Sequence, residues 1–446
     1  MFYIKQLPPK KFISNYLSLR ALNDVEMRSL TETFAERAKE GLQSSIKEGK
    51  GPLMLRSFVS PPETDLGSLE GKMAIGIDIG GTNLRMGVGK IHNEKIEPTS
   101  NIKPKEIKIK YASLDDFFQM LLNNGLEEIL KENPDLPLAC IFSFPGTGLK
   151  TENGVDMIIQ GNMTKGWQIG GSEEKNLGEE LNKFLEGKRI KKRKYFIVND
   201  TVTLIKDGKT NAGIVCASGY NWAIKIATKL LGNNQEKTEK TIIDTEAGSA
   251  ITAPKIPVIT DSLLKSIEAV PLRDEYRVSG KYLGKTLGLT IEEIKKNYPK
   301  LFKSTRNTYF PKSFVISDVL DGKWNYVKKW FGSKVNFSIE EKDILMQIAT
   351  ALRDSSAQIV AGHLIALNEV ANLGDDTGQI NISSDGPIIQ KMPEWKDVFT
   401  DTIKKLSYGQ LSTNIQETVY QGDQRDFRSI FDVMYQAIEF FARENK

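Results

Sequence analysis

The stretch Asp78-Ile79-Gly80-Gly81-Thr82-Asn83-Leu84-Arg85 decides the fold of this chain of 446 residues. A short apolar run, residues 73–78, leads into it and predicts a buried strand that carries a carboxylate at its end. The two glycines then turn the chain, and residues 84–88 are the predicted hairpin partner. Elsewhere strand patterns alternate with helical patterns, which include residues 114–132 and 341–372. This alternation predicts an α/β or mixed α+β protein.

The turn offers groups that can hold a phosphate. Backbone N–H groups of glycines can approach an anion closely because no Cβ stands in the way. Thr82 and Asn83 add side-chain donors, and the guanidinium of Arg85 suits phosphate oxygens. Asp78 can hold a metal-bound water, because Mg²⁺ binds few carboxylates and keeps several waters. A plain Gly-Gly hairpin turn is the alternative that this stretch leaves open.

Polar residues follow a second predicted strand and also stand between glycines upstream of it. The strand at residues 195–198 ends in Asn199-Asp200-Thr201, which places an amide and a carboxylate at a sheet edge where α/β proteins often bind ligands. Alternatively, Asp200 or Thr201 caps the following helix. Residues 161–167 crowd an amide, a hydroxyl, an ammonium and an indole between glycines. This set suits a hydroxylated ligand, although it is also ordinary loop composition.

Two further groups of residues suit phosphate and sugar hydroxyls. Residues 217–221 lie between two predicted strands and form either a second phosphate-contacting hairpin or only a turn. Glutamate accepts two hydrogen bonds, so Glu246 and the later Glu275 can bind adjacent hydroxyls of a sugar. The alternative is that both glutamates are merely solvated.

Charge predicts neither a nucleic-acid nor a membrane partner. The chain has 61 Lys and Arg against 57 Asp and Glu, a formal net charge of +4. Residues 188–194 form the one basic run, which we expect to be a solvated loop, with nucleic-acid contact as the alternative. The sequence lacks the pattern of a targeting signal and any apolar stretch of membrane-helix length. We therefore expect a cytoplasmic protein.

Histidines and cysteines are scarce, which excludes several chemistries. The two histidines, His92 and His363, nearly exclude a His-rich metal site and a Ser-His-Asp mechanism. His363 falls on the apolar side of the long predicted helix, so we expect it in the core. The two cysteines, Cys140 and Cys216, lie in apolar strand patterns as expected core residues. They predict no disulfide framework and indicate a reducing compartment.

Taken in order, the motifs resemble the eukaryotic-type hexokinase and glucokinase family. The resemblance spans roughly Asp24 to Gly386, and the order makes it specific, because each piece alone is weak or moderate. The matching pieces are residues 54–59, 78–85, 142–145, 162–166, 198–202, 219–221, 245–246, 279–284 and 385–386.

The resemblance implies an α/β, two-domain actin-like ATPase (ribonuclease H-like) fold with a sugar cleft between a small and a large domain. The small domain would comprise residues 73–199 and about 429–446, and the large domain residues 1–72 and 200–428. The implied activity is transfer of the γ-phosphoryl group of ATP, with Mg²⁺, to the 6-hydroxyl of a hexose, taken as glucose, in the first step of glycolysis. The implied partners are a hexose and a nucleotide, and the oligomeric state stays open.

The resemblance also assigns site residues, position by position. Asp200 would be the general base for the sugar hydroxyl, and Lys165 a second catalytic residue. The residues that would hold the hexose are Ser143, Thr164, Lys165, Asn199, Asp200, Asn221, Glu246 and Glu275, the last placed by counting back from residues 280–284. The residues that would face the nucleotide or its transferring phosphate are Asp78, Gly80, Gly81, Thr82, Asn83, Arg85, Ser218, Gly219 and Gly386, with Asp78 holding Mg²⁺ through water.

Departures from the family pattern affect mostly the nucleotide side. The second phosphate motif, usually Gly-Thr-Gly, is Ala217-Ser218-Gly219, and Pro387 replaces the usual serine. Residues 421–428 replace a Gly-rich adenosine-side loop, and Met163 and Ala247 stand where tryptophan is usual. These changes leave a catalytically weak sugar-binding sensor, or a hexose kinase with an altered phosphoryl donor, as alternatives. Another actin-like ATPase is a third interpretation, but such proteins lack the sugar-side residues.

Overall fold

The structure, a computed structural model, describes the chain apart from residues 1–7, 14–19, 44–53, 63–65, 81–82, 94, 100–101, 160–166, 233–238, 255–272, 306–307, 311–312, 333, 418–427 and 445–446. The chain divides into two compact units. Unit A comprises Met54–Gly213, Ala223–Asp244 and Thr418–Lys446, and unit B comprises Met1–Leu53, Ile214–Trp222 and Thr245–Glu417. The domain boundaries implied by the resemblance stay a prediction.

Strands and helices alternate along the chain, as predicted. The strands of the described residues are β1 (Leu55–Arg56), β2 (Met73–Ile79), β3 (Asn83–His92), β4 (Lys95–Pro98), β5 (Lys105–Glu106), β6 (Lys110–Tyr111), β7 (Leu138–Phe142), β8 (Gly146–Thr151), β9 (Gly154–Ile159), β10 (Gln168–Ile169), β11 (Tyr195–Val198), β12 (Ala212–Cys216), β13 (Tyr220–Ala227), β14 (Lys240–Asp244), β15 (Gln379–Asp385) and β16 (Ser412–Glu417). The α-helices are α1 (Pro9–Lys11), α2 (Asp24–Gln43), α3 (Leu114–Leu121), α4 (Glu127–Glu132), α5 (Leu177–Gly187), α6 (Arg273–Val278), α7 (Gly280–Asn297), α8 (Phe314–Leu320), α9 (Trp324–Phe331), α10 (Ile339–Ala371), α11 (Pro387–Lys391), α12 (Trp395–Leu406) and α13 (Arg428–Glu444).

The main sheet of unit A runs β4-β3-β2-β7-β11-β9-β8, with β5 paired to β3. Its centre is parallel: Ile77 of β2 pairs with Cys140 of β7, which pairs with Ile197 of β11. Strand β3 is antiparallel to β2, as the glycine turn predicts. Three neighbouring parallel strands therefore end at the same edge of the sheet, where α/β proteins bind ligands.

The C-terminal helix α13 packs closely on this sheet because β2 carries a glycine at the contact. A Cβ on Gly76 would lie 2.2 Å from Met434 Cε and 2.6 Å from Ile430 Cγ1. Only a residue without a side chain lets the helix approach this far. The apolar residues of α13 form one buried cluster with alternate residues of β7 and β11, including Ile141 and Val198. The contact fixes the first turn of α13 beside the end of β2.

Unit B is built around α10, a helix of 33 residues. Ser338 begins it with a capping box: the Ser338 hydroxyl accepts from the Glu341 N–H (3.1 Å), and the Glu341 carboxylate accepts from the Ser338 N–H (2.8 Å). Asn372 follows the last turn in the left-handed conformation, with φ 51°. Helices α2 and α12 pack on α10. Strands β15 and β16 pair in parallel, and β15 neighbours β12.

Several elements differ from the prediction or extend it. The helix expected over residues 114–132 is interrupted by a π-helical segment, Leu122–Leu126, where Gly125 has φ 111° and breaks the α-helical repeat. The hairpin of β8 and β9 was not predicted, because the sequence at residues 146–159 shows no clear alternation. The long helix begins at Ile339 and ends at Ala371, close to the predicted limits.

Three residues of the basic run at residues 188–194 make contacts within unit A. Lys191 pairs with Asp135 at 2.6 Å and Lys192 with Glu186 at 3.1 Å. Arg193 is buried and donates to the Leu130 carbonyl at 2.7 Å, so the run is not wholly solvated as expected. No helix in the described part of the chain is long and apolar enough to cross a membrane.

Candidate active site

Asp78 lies at the end of β2 and is held from two directions. The Arg85 guanidinium, opposite it on β3, donates to Asp78 Oδ2 at 3.0 Å. The Ser429 hydroxyl, in the first turn of α13, donates to the same oxygen at 2.8 Å. Both bonds use Oδ2, so Oδ1 accepts no hydrogen bond from a described residue. One carboxylate oxygen is thereby fixed and the other is left available to a ligand.

Burial raises the pKa of the Asp78 carboxyl above its usual range, because removing a carboxylate from water disfavours its charged form. The positive charge of Arg85 and the hydrogen bond from Ser429 oppose that rise. The negative charge of Asp200 adds to it, which places the two carboxylates within electrostatic reach of each other in unit A. A cation near Asp78 would relieve this repulsion.

The turn after Asp78 is tight. The Gly80 N–H donates to the Asn83 carbonyl at 2.9 Å, and β3 begins at Asn83. A Cβ on Gly80 would meet only the Asn83 carbonyl oxygen, at 3.5 Å, which is an ordinary contact. Among the described residues there is therefore space for a Cβ at residue 80. A phosphate close to the Gly80 backbone would need the same space. Gly81 and Thr82 lie outside the described residues.

Ser143, Asn199 and Asp200 follow β7 and β11 at the same edge. The Ser143 N–H donates to the Ile79 carbonyl at 3.4 Å, which extends the pairing of β7 with β2. Asn199 is buried, and its side-chain oxygen accepts from the N–H (3.0 Å) and hydroxyl (2.8 Å) of Thr201. This bond pattern turns the chain immediately after β11.

Asp200 is half-buried, and its carboxylate accepts no hydrogen bond from a described residue. The short 3₁₀ helix that follows, Val202–Leu204, has no side-chain cap. The alternative that Asp200 or Thr201 caps a helix is therefore wrong. Among the described residues, Asp200 is thus a half-buried carboxylate at the end of β11 whose oxygens accept no hydrogen bond.

Two supporting residues on α13 were not predicted. Gln436 donates from Nε2 to the carbonyls of Val202 and Ile205, both at 3.1 Å, and so anchors the segment that follows Asp200. Ser429, which holds Asp78, is separated from it by 351 positions. No local pattern marks either residue, because each acts only through the docking of α13 on the sheet.

In unit B the structure brings the two predicted phosphate segments, residues 217–219 and 386, together with the matching motif at residue 280. The Ala217 N–H donates to the Gly219 carbonyl at 2.9 Å, which closes a tight turn with Ser218 exposed at its tip. The Gly280 N–H, at the start of α7, donates to the Ala217 carbonyl at 2.7 Å. Gly386 has φ 115°, and a Cβ there would lie 2.3 Å from the Cys216 carbonyl oxygen. Glycine is required at residue 386 by both its conformation and its neighbour.

Pro387 occupies the first position of helix α11. Proline suits that position, because the N–H it lacks would have no partner inside the helix. The substitution therefore keeps the local fold while it removes a hydroxyl and a backbone donor from the vicinity of Gly386.

The three predicted sugar residues of unit B also lie together. The Asn221 side-chain oxygen accepts from the Ala247 N–H at 3.1 Å, which ties β13 to the turn that carries Glu246. Glu246 adopts the left-handed conformation, with φ 48°. In the same turn, a Cβ on Gly248 would lie 3.4 Å from Glu275 Cβ and 2.6 Å from the Tyr220 carbonyl oxygen. Glu275 itself is buried at the start of α6.

Some predicted residues cannot be placed in this way. Thr164 and Lys165 lie outside the described residues, as does the segment 421–427. Within the described ranges, no group of three or more His, Cys, Asp or Glu side chains could hold a metal ion. The described residues allow a metal site in which Asp78 is the one carboxylate. Waters and ligand oxygens would complete the coordination.

Comparison with known proteins identifies relatives. The sequence matches two family models, both described as hexokinase, over residues 13–208 and 211–422. It is 23% identical to Hexokinase-2 of Saccharomyces cerevisiae, with 91% of this chain and 87% of the yeast protein covered. It is 27% identical to the hexokinase of Schistosoma mansoni, with 59% and 60% covered. It is 24% identical to Hexokinase-2 of Equus caballus, of which it spans 45%.

Solved structures agree with these sequence matches. The Schistosoma mansoni hexokinase complexed with glucose aligns with a TM-score of 0.78 at 18% identity, covering 96% of this chain and 98% of that one. A second hexokinase crystal structure aligns with a TM-score of 0.72 at 17% identity, covering 99% and 100%. The predicted two-domain actin-like ATPase fold is confirmed. Since the two hexokinase models together match most of its length, the chain belongs to the hexokinase family.

Proposed function

We propose that this member of the hexokinase family transfers the γ-phosphoryl group of ATP to the 6-hydroxyl of glucose, the first step of glycolysis. The observation that carries the proposal is the arrangement at the edge of the unit A sheet. Three parallel strands there present Asp78, Ser143, Asn199 and Asp200 together, and the Asp200 carboxylate accepts no hydrogen bond from a described residue. The buried Cys140 and Cys216 are both free thiols, which suits a cytoplasmic protein.

Asp200 is the proposed general base. Its carboxylate accepts the proton of the sugar 6-hydroxyl as that oxygen forms a bond to the γ-phosphorus, and the bond from that phosphorus to the bridging oxygen breaks, so ADP leaves with the electron pair. Positioning and charge stabilisation supply most of the rate in phosphoryl transfer. A single aspartate is therefore sufficient, which agrees with the scarcity of histidine.

Asp78 is the proposed residue for Mg²⁺, which it would hold through water. Its Oδ1 is left available by the bonds to Oδ2, and the buried negative charge at Asp78 favours a cation. When bound, Mg²⁺ neutralises charge on the phosphate oxygens of ATP. Gly80, Gly81, Thr82, Asn83 and Arg85 are proposed to face the transferring phosphate, and Ser218, Gly219 and Gly386 the nucleotide.

The residues proposed to hold the hexose are those that the family resemblance assigns. Ser143, Asn199 and Asp200 belong to unit A, as do Thr164 and Lys165, the latter a proposed catalytic residue. Asn221, Glu246 and Glu275 belong to unit B. Amide and carboxylate oxygens accept hydrogen bonds from adjacent hydroxyls, and this donor set suits a sugar rather than an apolar ligand.

A second candidate differs only in the phosphoryl donor or in catalytic strength. In the family pattern a glycine stands at residue 217 and a serine at residue 387. Ala217 brings a Cβ to the first position, and Pro387, at the start of α11, removes a hydroxyl and an N–H from the second. A different phosphoryl donor would change only the nucleotide side of the site, so Asp200 would keep its role as the base. A sensor would keep the sugar residues and lose turnover.

The test is a coupled assay for glucose 6-phosphate with ATP and Mg²⁺, run beside ADP, pyrophosphate and polyphosphate as donors. Turnover with ATP supports the proposal, and turnover with another donor alone selects the second candidate. Glucose binding by calorimetry without turnover from any donor would establish the sensor instead. The variant Pro387→Ser should tighten ATP binding if the missing hydroxyl matters, and an unchanged ATP affinity would contradict that account.

A further inference from the structure

His363 and Asp274 are titratable groups in unit B that the proposed reaction does not use. Both side chains are 0% exposed. His363 Nε2 lies 3.3 Å from an Asp274 carboxylate oxygen and 3.1 Å from the Thr252 hydroxyl, and His363 Nδ1 lies 2.8 Å from the Tyr220 hydroxyl. Phe34 stacks on the imidazole with 3.9 Å between ring centroids. The imidazole is thus held on both edges and one face.

The hydrogen bonds of this buried network run from β13 to α6. The Trp222 indole N–H can only donate, and it donates to the Tyr220 hydroxyl oxygen at 2.7 Å. The direction of the bond between the Tyr220 hydroxyl and His363 Nδ1 depends on the tautomer of the ring. On the other side of the ring, the Thr252 hydroxyl donates to the Asp274 carboxylate at 2.6 Å and can accept from His363 Nε2. The imidazole therefore links Tyr220 to Asp274 in either tautomer.

Both ends of the network adjoin residues proposed to hold the hexose. Tyr220 immediately precedes Asn221 on β13, and Asp274 immediately precedes Glu275 on α6. The turn at Gly248 fits between these two elements, against the Tyr220 carbonyl and the Glu275 side chain. The buried His363 side chain contacts the same two elements, through Tyr220 of β13 and Asp274 of α6. The imidazole thus joins the strand of one sugar residue to the helix of another.

We propose that His363 is a positioning residue that sets the spacing between Asn221 and Glu275 for hexose binding. The inference rests on the proposed hexose function. Asp274 also accepts from the backbone N–H groups of Thr252 (3.0 Å) and Ala253 (2.7 Å). These bonds tie the start of α6 to residues 252–253 and should keep unit B folded without the imidazole. They do not reach β13, so loss of His363 removes the link that sets the spacing between α6 and β13.

The first test compares His363→Leu with His363→Gln in the full-length protein. Leucine removes both polar edges and should raise the KM for glucose at least about tenfold, while the KM for ATP stays within about twofold. Glutamine retains one acceptor and one donor and should recover most of that loss. Tyr220→Phe breaks the same link from the other side, so its effect should not add to that of His363→Leu.

Ile359→Ala is the matched control, because Ile359 is a buried apolar residue one turn earlier on the same helix. It should lower stability and leave the KM for glucose within about twofold of wild type. An equal rise in the KM for glucose with Ile359→Ala and His363→Leu would overturn the inference, as would an unchanged KM in both His363→Leu and Tyr220→Phe. A wild-type chain that neither binds nor phosphorylates glucose would instead refute the proposed function.

A second test reads the imidazole directly. The chain contains two histidines, so ¹⁵N-histidine NMR resolves His363 once His92→Gln identifies the other ring. We expect a change in the ¹⁵N shifts of His363 on addition of glucose. A spectrum that saturating glucose leaves unchanged would contradict the proposed positioning role.

Discussion

Replacing Asp200 by asparagine tests the proposed base with the least disturbance of the fold. Asparagine has the shape of aspartate and cannot accept the sugar proton. The Asp200 carboxylate accepts no hydrogen bond from a described residue, and the side chain is only half-buried. Because no described contact depends on the charge, we expect the free energy of unfolding to change by no more than about 0.5 kcal/mol.

The expected kinetic effect is much larger than the effect on stability. Removing a general base lowers a rate by about 10²- to 10⁴-fold. At 1.36 kcal/mol for each tenfold change, the activation free energy should rise by about 2.7 to 5.4 kcal/mol. Burial is the main cause of the raised pKa of Asp78, and the negative charge of Asp200 adds to it, so the variant should lower that pKa while burial still holds it above its usual range.

The assay measures kcat and the KM for glucose by coupled detection of glucose 6-phosphate, beside thermal unfolding. Asp115→Asn is the matched control, since Asp115 is an exposed carboxylate in the first turn of α3 in the same unit. It should leave kcat within about twofold. A fall in kcat of less than tenfold in Asp200→Asn, with wild-type unfolding, would refute the assignment of Asp200 as the base.

Three further predictions concern residues proposed to face the phosphate, the nucleotide or Mg²⁺. Gly80→Ala should leave the free energy of unfolding unchanged or raise it by up to about 1 kcal/mol, since the described chain has room for a Cβ. The same variant should raise the KM for ATP, and an unchanged KM would show that no phosphate approaches Gly80. Gly386→Ala should destabilise the protein by about 1 to 3 kcal/mol, because of φ 115° and the 2.3 Å approach to a carbonyl; denaturant unfolding checks this, and a wild-type midpoint would contradict it. Burial raises the pKa of Asp78, so wild type should gain stability relative to Asp78→Asn as the pH falls from neutral towards about 4; parallel pH dependences in the two proteins would contradict this sign.

Local sequence patterns were enough to predict the strands and the helix that position the site. The glycine pair after an apolar strand predicts the hairpin of β2 and β3, because adjacent glycines adopt the backbone conformations that tight hairpin turns require. Apolar residues at helical spacing predict α10, and Ser338 and Glu341 form a capping box at its start. The order of the motifs was sufficient to indicate the family, which the matches to hexokinase models confirm.

Tertiary structure decided which side chains support those motifs. Ser429 reaches Asp78 across 351 positions, and Gln436 anchors the segment after Asp200, only because Gly76 lets α13 pack closely on β2. His363, predicted as a core residue, is confirmed as buried, but its partners Tyr220 and Asp274 come from distant segments. The spacing of apolar residues predicts which face of a helix or strand is buried. It does not predict which residues pack against that face. Those partners are set by the packing of elements far apart in the chain.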